Sequence, residues 1–301
     1  MIKCKICDSY NYTEIGFIKN IWKDDKKIYQ CNDCELYFID SPNNEEIDTF
    51  YKNDYHNNIK NKFFLLAKNK MRYARVLSQF NFIKNIIDYK GKKICEIGAF
   101  DGLFLSLLKN NHCDVYGYEI NDNAREYAKK KYNIDLRVNF FESNDKYDII
   151  ILSHVIEHFK EPKEALSIIK SKLNNNGYIY IEVPNSPMIR KNQCSYDMLI
   201  RYLTTEHIVN FNMNNLKILM VLNKLNIVEC KYSNYNVSIY NESLRGNILE
   251  GSIPNIYNFF SFFLFSFKTL FLPNNVFIDY YDNKGLWSYG ENIRIIAQLN
   301  N

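Results

Sequence analysis

The chain has 301 residues, 47% of them hydrophobic and 24% charged, with a formal net charge of +4. That length suits one large domain, or one domain with a small appendage, and the composition is that of an ordinary soluble globular protein. The charge is too small to argue for nucleic acid or an anionic membrane as a partner.

The first residues, MIKCKICDSY, contain no apolar signal-peptide core. The most apolar run, from Phe259 to Leu272, is interrupted by Lys268 and falls short of the roughly 20 residues that span a bilayer. The expected compartment is the cytoplasm, where the eight cysteines serve more readily as thiols or metal ligands than as disulfides.

Cys4 and Cys7 form CKIC, Cys31 and Cys34 form CNDC, and strand patterns (YTEIGFI, KKIYQC, LYFID) lie between and after the pairs. Two C-x-x-C knuckles so placed make a zinc-ribbon pattern, in which four thiolates complete a tetrahedron around a structural Zn ion. The ion would stabilise a segment of about forty residues that is too small to hold a core alone. Cys95, Cys113, Cys194 and Cys230 stand singly in apolar or mixed surroundings and read as core residues.

After a polar stretch, helical periodicity runs from about Phe63 to Asp88. KKICEIGAFDGLFLSLLKN then reads as strand, Gly-containing turn and helix; VYGYEI is a second strand, followed by the helix NAREYAKKKY. DLRVNF is a third strand, YDIIIL a fourth, and GYIYIEV a fifth preceded by the helix EPKEALSIIKSKL. NIVECKYSNY is a sixth, after NNLKILMVLNKL, and ENIRIIAQL is the last. Alternating strands and helices predict an α/β, Rossmann-like doubly wound parallel sheet. The expected divisions are a zinc-ribbon module (1–45), a helical linker (46–92), a Rossmann-like domain (93–232), and an insert with the final strand (233–301).

The first turn has the spacing E-x-G-x-x-x-G, with Glu96, Gly98, Phe100, Asp101 and Gly102, in place of a nicotinamide G-x-G-x-x-G. Gly98 lets backbone pass close to a ligand and Gly102 permits tight packing at the helix start. Glu119 closes the second strand, where a carboxylate accepts both hydroxyls of a ribose, and Ile120 follows it. Residues 154–158, HVIEH, fit the H-x-x-E-H pattern of one zinc-peptidase class. However, the string follows an apolar strand and is cut short by Pro162, whereas a peptidase site belongs inside a longer helix with a third ligand downstream.

Together these stretches resemble class I S-adenosylmethionine-dependent methyltransferases over roughly residues 93 to 232. EIGAFDG is similar to their first motif, YEIN to the second, YDIIILSHVIEHFKEP to the fourth and GYIYIEVPN to the fifth. CKIC…CNDC with EIGAFDG is closest to the subgroup with an N-terminal zinc-binding module, which includes sugar C-methyltransferases. The resemblance implies that Glu96, Gly98, Phe100, Asp101, Gly102, Glu119 and Ile120 hold the cofactor. It places Ser153, His154 and His158 beside the methionine end of S-adenosylmethionine, although both histidines also suit a role in capping and packing the loop.

RYLTTEHIVNFN matches that subgroup's Glu-His motif at Glu206 and His207, with Phe211 as its final aromatic. The resemblance makes His207 a base beside a sugar and Glu206 its orienting partner; a neutral imidazole near pH 7 suits that task. The alternative is a histidine packed beneath a lid. Thr204 replaces the relatives' Tyr, and the chain lacks the length of their C-terminal domain, so O-methylation stands level with C-methylation. Tyr51 and Tyr55 occupy positions where relatives carry tyrosines near the cofactor.

The expected activity is methyl transfer to a sugar or sugar nucleotide, in surface polysaccharide synthesis, with no nucleic-acid partner. Two rivals remain: an RNA methyltransferase that grips RNA through the ribbon, and a catalytically silent scaffold. Against the first, basic residues are scattered and no Asn-Pro-Pro-aromatic motif follows the fourth strand. The aromatic insert, with residues 253–273 at its centre, reads as a lid or homodimer contact; it lacks the basic face of a membrane-docking helix.

Overall fold

The computed structural model describes residues 2–18, 24–43, 45–47, 62–186, 207–235, 277–280 and 292–299. Its strands are β1 (Tyr12–Ile18), β2 (Lys26–Cys31), β3 (Tyr37–Ile39), β4 (Lys93–Ile97), β5 (Asp114–Tyr118), β6 (Tyr147–Ser153), β7 (Leu173–Pro184), β8 (Val209–Asn210), β9 (Leu225–Tyr235), β10 (Phe277–Tyr280) and β11 (Asn292–Leu299). The helices are α1 (Lys62–Lys84), α2 (Leu103–Asn110), α3 (Asp122–Tyr132), α4 (Pro162–Ser171) and α5 (Met213–Leu222).

The larger sheet has the order β10-β9-β11-β7-β6-β4-β5. β5, β4, β6 and β7 run parallel, while β11 lies antiparallel between β7 and β9. The all-parallel expectation is therefore corrected: the sheet is mixed. β11 starts where β9 ends, Asn292 opposite Ser233, and runs back along it to place Leu299 opposite Leu225. The expected third strand, DLRVNF, is also corrected, because only a single bridge, Tyr118 to Arg137, survives there. In that segment Leu136 and Phe140 are buried while Val138 between them is 55% exposed, and no extended ladder forms.

Of the parallel strands, β4, β6 and the second half of β7 are buried on both faces, which accounts for their near-continuous apolar runs, whereas the edge strand β5 is only partly buried. Side-chain alternation divides them into two layers. Ile94, Ile149, Ile151, Tyr180 and Ile296 pack with Phe80 and Ile83 of α1 and Phe104, Leu105 and Leu108 of α2. Cys95, Ile97, Ile150, Leu152 and Ile181 face Leu166 of α4 and Leu216 and Leu219 of α5. Helix starts follow capping chemistry: Asn121 caps α3 through Ala124 N–H, and Asn212 and Asn215 form a reciprocal box at α5.

The smaller sheet, β1-β2-β3-β8, unites the N-terminal segment with residues just beyond His207. Its Leu36, Phe38 and Ile39 share one hydrophobic cluster with Ile156, Ile208 and Val209. Lys5 meets Glu161 at 2.7 Å, and Lys163 pairs with Asp8. Among the described residues no helix is long and apolar enough to cross a membrane. Cys95, Cys113 and Cys230 are buried as expected; Cys194, Tyr51, Tyr55, Thr204, Glu206 and the insert 253–273 lie outside the described residues.

Candidate active site

The C-terminal ends of the parallel strands β4, β5, β6 and β7 lie on one side of the sheet, where ligands bind in open α/β sheets. Gly98 and Gly102 both have left-handed backbone, with φ of +70° and +76°. A Cβ on Gly98 would lie 2.6 Å from Val155 Cγ2, so this glycine is required by the HVIEH loop that presses on it. A Cβ on Gly102 would meet Ala128 Cβ at 3.1 Å, which bears out the expected tight packing at the helix start.

Glu119 accepts Phe100 N–H and Asn121 N–H, each at 2.9 Å, one on each carboxylate oxygen. It thereby fastens the glycine turn to the end of β5. A carboxylate has about four acceptor sites, so two remain for a ligand. Ile120 beside it is 58% exposed, an apolar face turned to solvent. Asp101 accepts Leu103 N–H at the start of α2 and pairs with Arg72 of α1, whose guanidinium also lies 4.6 Å from the Phe100 ring centre. Glu96 is buried with its Oε2 lacking a hydrogen bond; burial raises its pKa well above the usual carboxylate range, with Arg72 opposing.

Ser153, His154 and His158 stand at the end of β6 and in the turn after it. Gln79 of α1 donates to Ser153 Oγ at 2.8 Å. His154 has φ +56°, and its N–H bonds to Glu182 O, which folds the chain back over β7. Val155 N-caps a single 3-10 turn at Ile156–His158, and Pro162 opens α4 at a position where its missing N–H costs nothing.

A cluster of imidazoles and carboxylates forms around Glu157. Its Oε1 lies 3.6 Å from His154 Nδ1, 4.0 Å from His158 Nε2 and 3.9 Å from His207 Nε2. The His158 and His207 rings meet edge to face at 4.9 Å. His207 is held there because Ile208 N–H bonds to Glu157 O, while Ile39 N–H bonds to Ile208 O. Glu182 supports the cluster from behind: its Oε1 is 3.4 Å from His154 Nε2 and its Oε2 accepts Arg294 Nε–H at 2.5 Å and Tyr180 O–H at 2.7 Å. Burial works to neutralise Glu157 and Glu182, but the surrounding cations win, and both carboxyls sit below their usual range. Burial disfavours charge on His154 too, yet Glu157 and Glu182 raise its pKa above the usual imidazole value.

The sequence reading omitted Glu157, Glu182, Arg294 and the polar stripe of α1, Arg72, Arg75 and Gln79. Two signals existed for these residues: a lone Arg in the apolar run IRIIAQ, and polar residues at 72, 75 and 79 with helical spacing.

The four N-terminal sulfurs also come together. Cys4 and Cys34 Sγ are 3.5 Å apart, as are Cys7 and Cys31, and all four lie within 4.8 Å of one another as free thiols. Tetrahedral zinc with bonds near 2.3 Å sets sulfurs about 3.8 Å apart, so this donor set fits such an ion.

The family model described as a methyltransferase domain matches residues 66–229. A tRNA U34 carboxymethyltransferase of Campylobacter hominis is 26% identical over 114 residues, which cover 35% of this chain and 40% of that protein. The match thus spans well under half of that relative's length. Among solved structures, an S-adenosylmethionine-dependent methyltransferase from Archaeoglobus fulgidus superposes with a TM-score of 0.49 and 20% identity, covering 79% of this chain and all of that one. A coclaurine N-methyltransferase has the same TM-score at 11% identity, covering 74% and 72% of the two chains.

Proposed function

The chain belongs to the methyltransferase-domain family, and we propose that it transfers the methyl group of S-adenosylmethionine to a hydroxyl of a sugar or sugar nucleotide. The observation that carries this reading is the cluster at the strand ends, where His207 lies 3.9 Å from a buried carboxylate, Glu157. A hydroxyl is a poor nucleophile until its proton leaves, and an imidazole beside a carboxylate suits that task. Carbon acceptors need the same proton removal, so C-methylation is the variant of this reading.

The cofactor, when bound, supplies an electrophilic methyl on a sulfonium. Gly98, Phe100 and Gly102 form the turn that approaches it, and Glu119 has two acceptor sites left for ribose hydroxyls. Ile120 offers an exposed apolar face, and Glu96, Asp101 and Ser153 complete the proposed cofactor-binding set, Asp101 also accepting Leu103 N–H at the start of α2. His154 and His158 border the reacting end. In the metal-free cluster His207 takes the acceptor's proton, and Glu157 stabilises the imidazolium that results; Glu206 is the second proposed partner of His207. The cysteine cluster holds a structural zinc.

The tRNA relative favours a second reading, methylation of RNA. Support for the small acceptor comes from the ribbon: its described lysines, Lys3, Lys5, Lys26 and Lys27, each lie within 3 Å of a carboxylate. Cations already paired make a weak phosphate grip.

Calorimetric titration with S-adenosylhomocysteine, beside a Glu119→Ala variant, tests the cofactor assignment. One-to-one binding weakened by the substitution is expected; no binding by a folded, zinc-loaded protein would favour the scaffold. Methyl transfer to sugar nucleotides is then compared with salt-dependent binding of tRNA. Strong, salt-sensitive tRNA binding with no sugar turnover would overturn the sugar assignment.

A further inference from the structure

We infer that Glu157, His158 and His207 form a binding site for one divalent transition-metal ion, separate from the four-cysteine cluster. One ligand atom from each of the three lies within 4.8 Å of the others, and Glu157 Oε1 is 4.0 and 3.9 Å from the two imidazole nitrogens. Donors bonded at about 2.0–2.2 Å to a tetrahedral ion stand roughly 3.3–3.6 Å apart, a little closer than the carboxylate and imidazoles stand here. The three groups therefore need only small side-chain rotations to close on a cation.

A second observation points the same way. The Glu157 side chain is 1% exposed, and neither carboxylate oxygen has a hydrogen-bond donor. Burying an ionised carboxylate without hydrogen bonds is costly, and native folds tolerate it where a cation completes the site. The backbone here is well satisfied: His158 N–H bonds to Val155 O and Ile208 N–H to Glu157 O. The unmet demand of Glu157 thus lies in its side chain, whose two oxygens sit among the imidazoles.

The donor set selects the ion. Two imidazole nitrogens and one carboxylate oxygen suit zinc, manganese, iron or cobalt, whereas calcium and magnesium prefer oxygen ligands throughout. Three protein ligands also leave at least one coordination position open, the hallmark of a reactive site as opposed to a structural one. An outer layer is already built. His154 stands 3.6 Å from Glu157 and 3.4 Å from Glu182, and Glu182 is fixed by Arg294 and Tyr180. Carboxylate–histidine chains of this type orient metal ligands.

This inference rests on the methyl-transfer reading for its consequence. When the ion is bound His207 is a ligand, not a base, and the ion takes over activation by lowering the pKa of a hydroxyl that reaches the open position. The hydroxyl proton passes to water; the oxygen then forms a bond to the methyl carbon as the carbon–sulfur bond breaks, and neutral S-adenosylhomocysteine leaves. On this scheme the acceptor is an oxygen nucleophile whose hydroxyl reaches the open position.

The test uses the full chain with its cysteine site loaded with zinc. Weakly held ions are removed by a mild chelator, and cobalt(II) is titrated in. One equivalent should bind with visible d–d absorption and no thiolate charge-transfer band, and Glu157→Gln should weaken it at least tenfold. If that variant fails to fold, ring NMR of the wild type decides: of the five histidines in the chain, the signals of His154, His158 and His207 should shift or broaden together. Cobalt binding that leaves those rings untouched, or no binding beyond the cysteines, would overturn the inference. S-adenosylhomocysteine is titrated into the same preparation. Cofactor binding without cobalt binding sinks the metal site alone, whereas cobalt without cofactor binding sinks the methyl-transfer reading and leaves the site standing.

Discussion

His207 is the residue on which both activation schemes converge. Replacing it with Ala is expected to lower turnover by about two orders of magnitude or more while leaving affinity for S-adenosylhomocysteine nearly unchanged. Equal loss of cofactor affinity, read by calorimetry, would make His207 a support for the pocket. Gly98 is constrained differently, by its +70° φ and by Val155 Cγ2, which would stand 2.6 Å from any Cβ added there. Gly98→Ala should cost about 1–3 kcal/mol and displace the HVIEH loop; an unchanged melting temperature would show that the loop yields freely. Glu96 links a single buried group to pH. Burial raises its folded pKa above the ordinary 4.5, so above that pH the unfolded chain releases a proton that the folded state keeps. Stability therefore falls as pH rises from 4.5 toward the folded value, and Glu96→Gln should remove that fall. Melting curves of the two proteins from about pH 5 to about pH 8 should converge at the acid end and separate toward the alkaline end; parallel curves would contradict the assignment.

Between elements, the ion pair of Glu182 on β7 with Arg294 on β11 joins directly opposite positions of an antiparallel ladder, with both side chains fully buried. Removing Arg294 leaves the buried Glu182 carboxylate with His154 and the Tyr180 hydroxyl beside it. Arg294→Met should destabilise the protein by about 3–5 kcal/mol, and the further change Glu182→Leu should recover part of it. Denaturant titration of the single and double variants checks this; equal stabilities for all three proteins would show that the pair contributes nothing. The pair also shows where legibility stopped. β4, β6 and β7 announce themselves by apolar runs, and Pro162 marks a helix start, because those signals are local. DLRVNF has the composition of a strand yet lacks a neighbour on its outer side, and so keeps a single bridge. Arg294 in IRIIAQ was visible as an oddity, but its partner lies 112 residues away.

At the scale of the whole molecule, the cysteine module is built into the catalytic body. β3 pairs with β8, Phe38 opposite Val209, and Ile39 N–H reaches Ile208 O one residue beyond His207. A structural ion in the module would thus hold His207 in place from outside the cofactor domain. Stripping that ion with a strong thiol-reactive chelator should expose amides of residues 26–39 and of 207–211 to hydrogen exchange together, while β4 and β6 stay protected. Separate responses in the two segments would mean that the sheet is not one cooperative unit.

The amino-acid order alone determined the two C-x-x-C pairs, the E-x-G-x-x-x-G turn, the strand–helix alternation and the HVIEH loop after YDIIIL. Each depends on residues within a few positions of one another, where turn geometry and side-chain periodicity act. Only the tertiary structure decided that β11 runs antiparallel, that Glu182 meets Arg294, and that the module's third strand carries His207 to Glu157. Those contacts close loops of tens to hundreds of residues, and they are chosen by which buried faces and charges satisfy one another once the chain is compact.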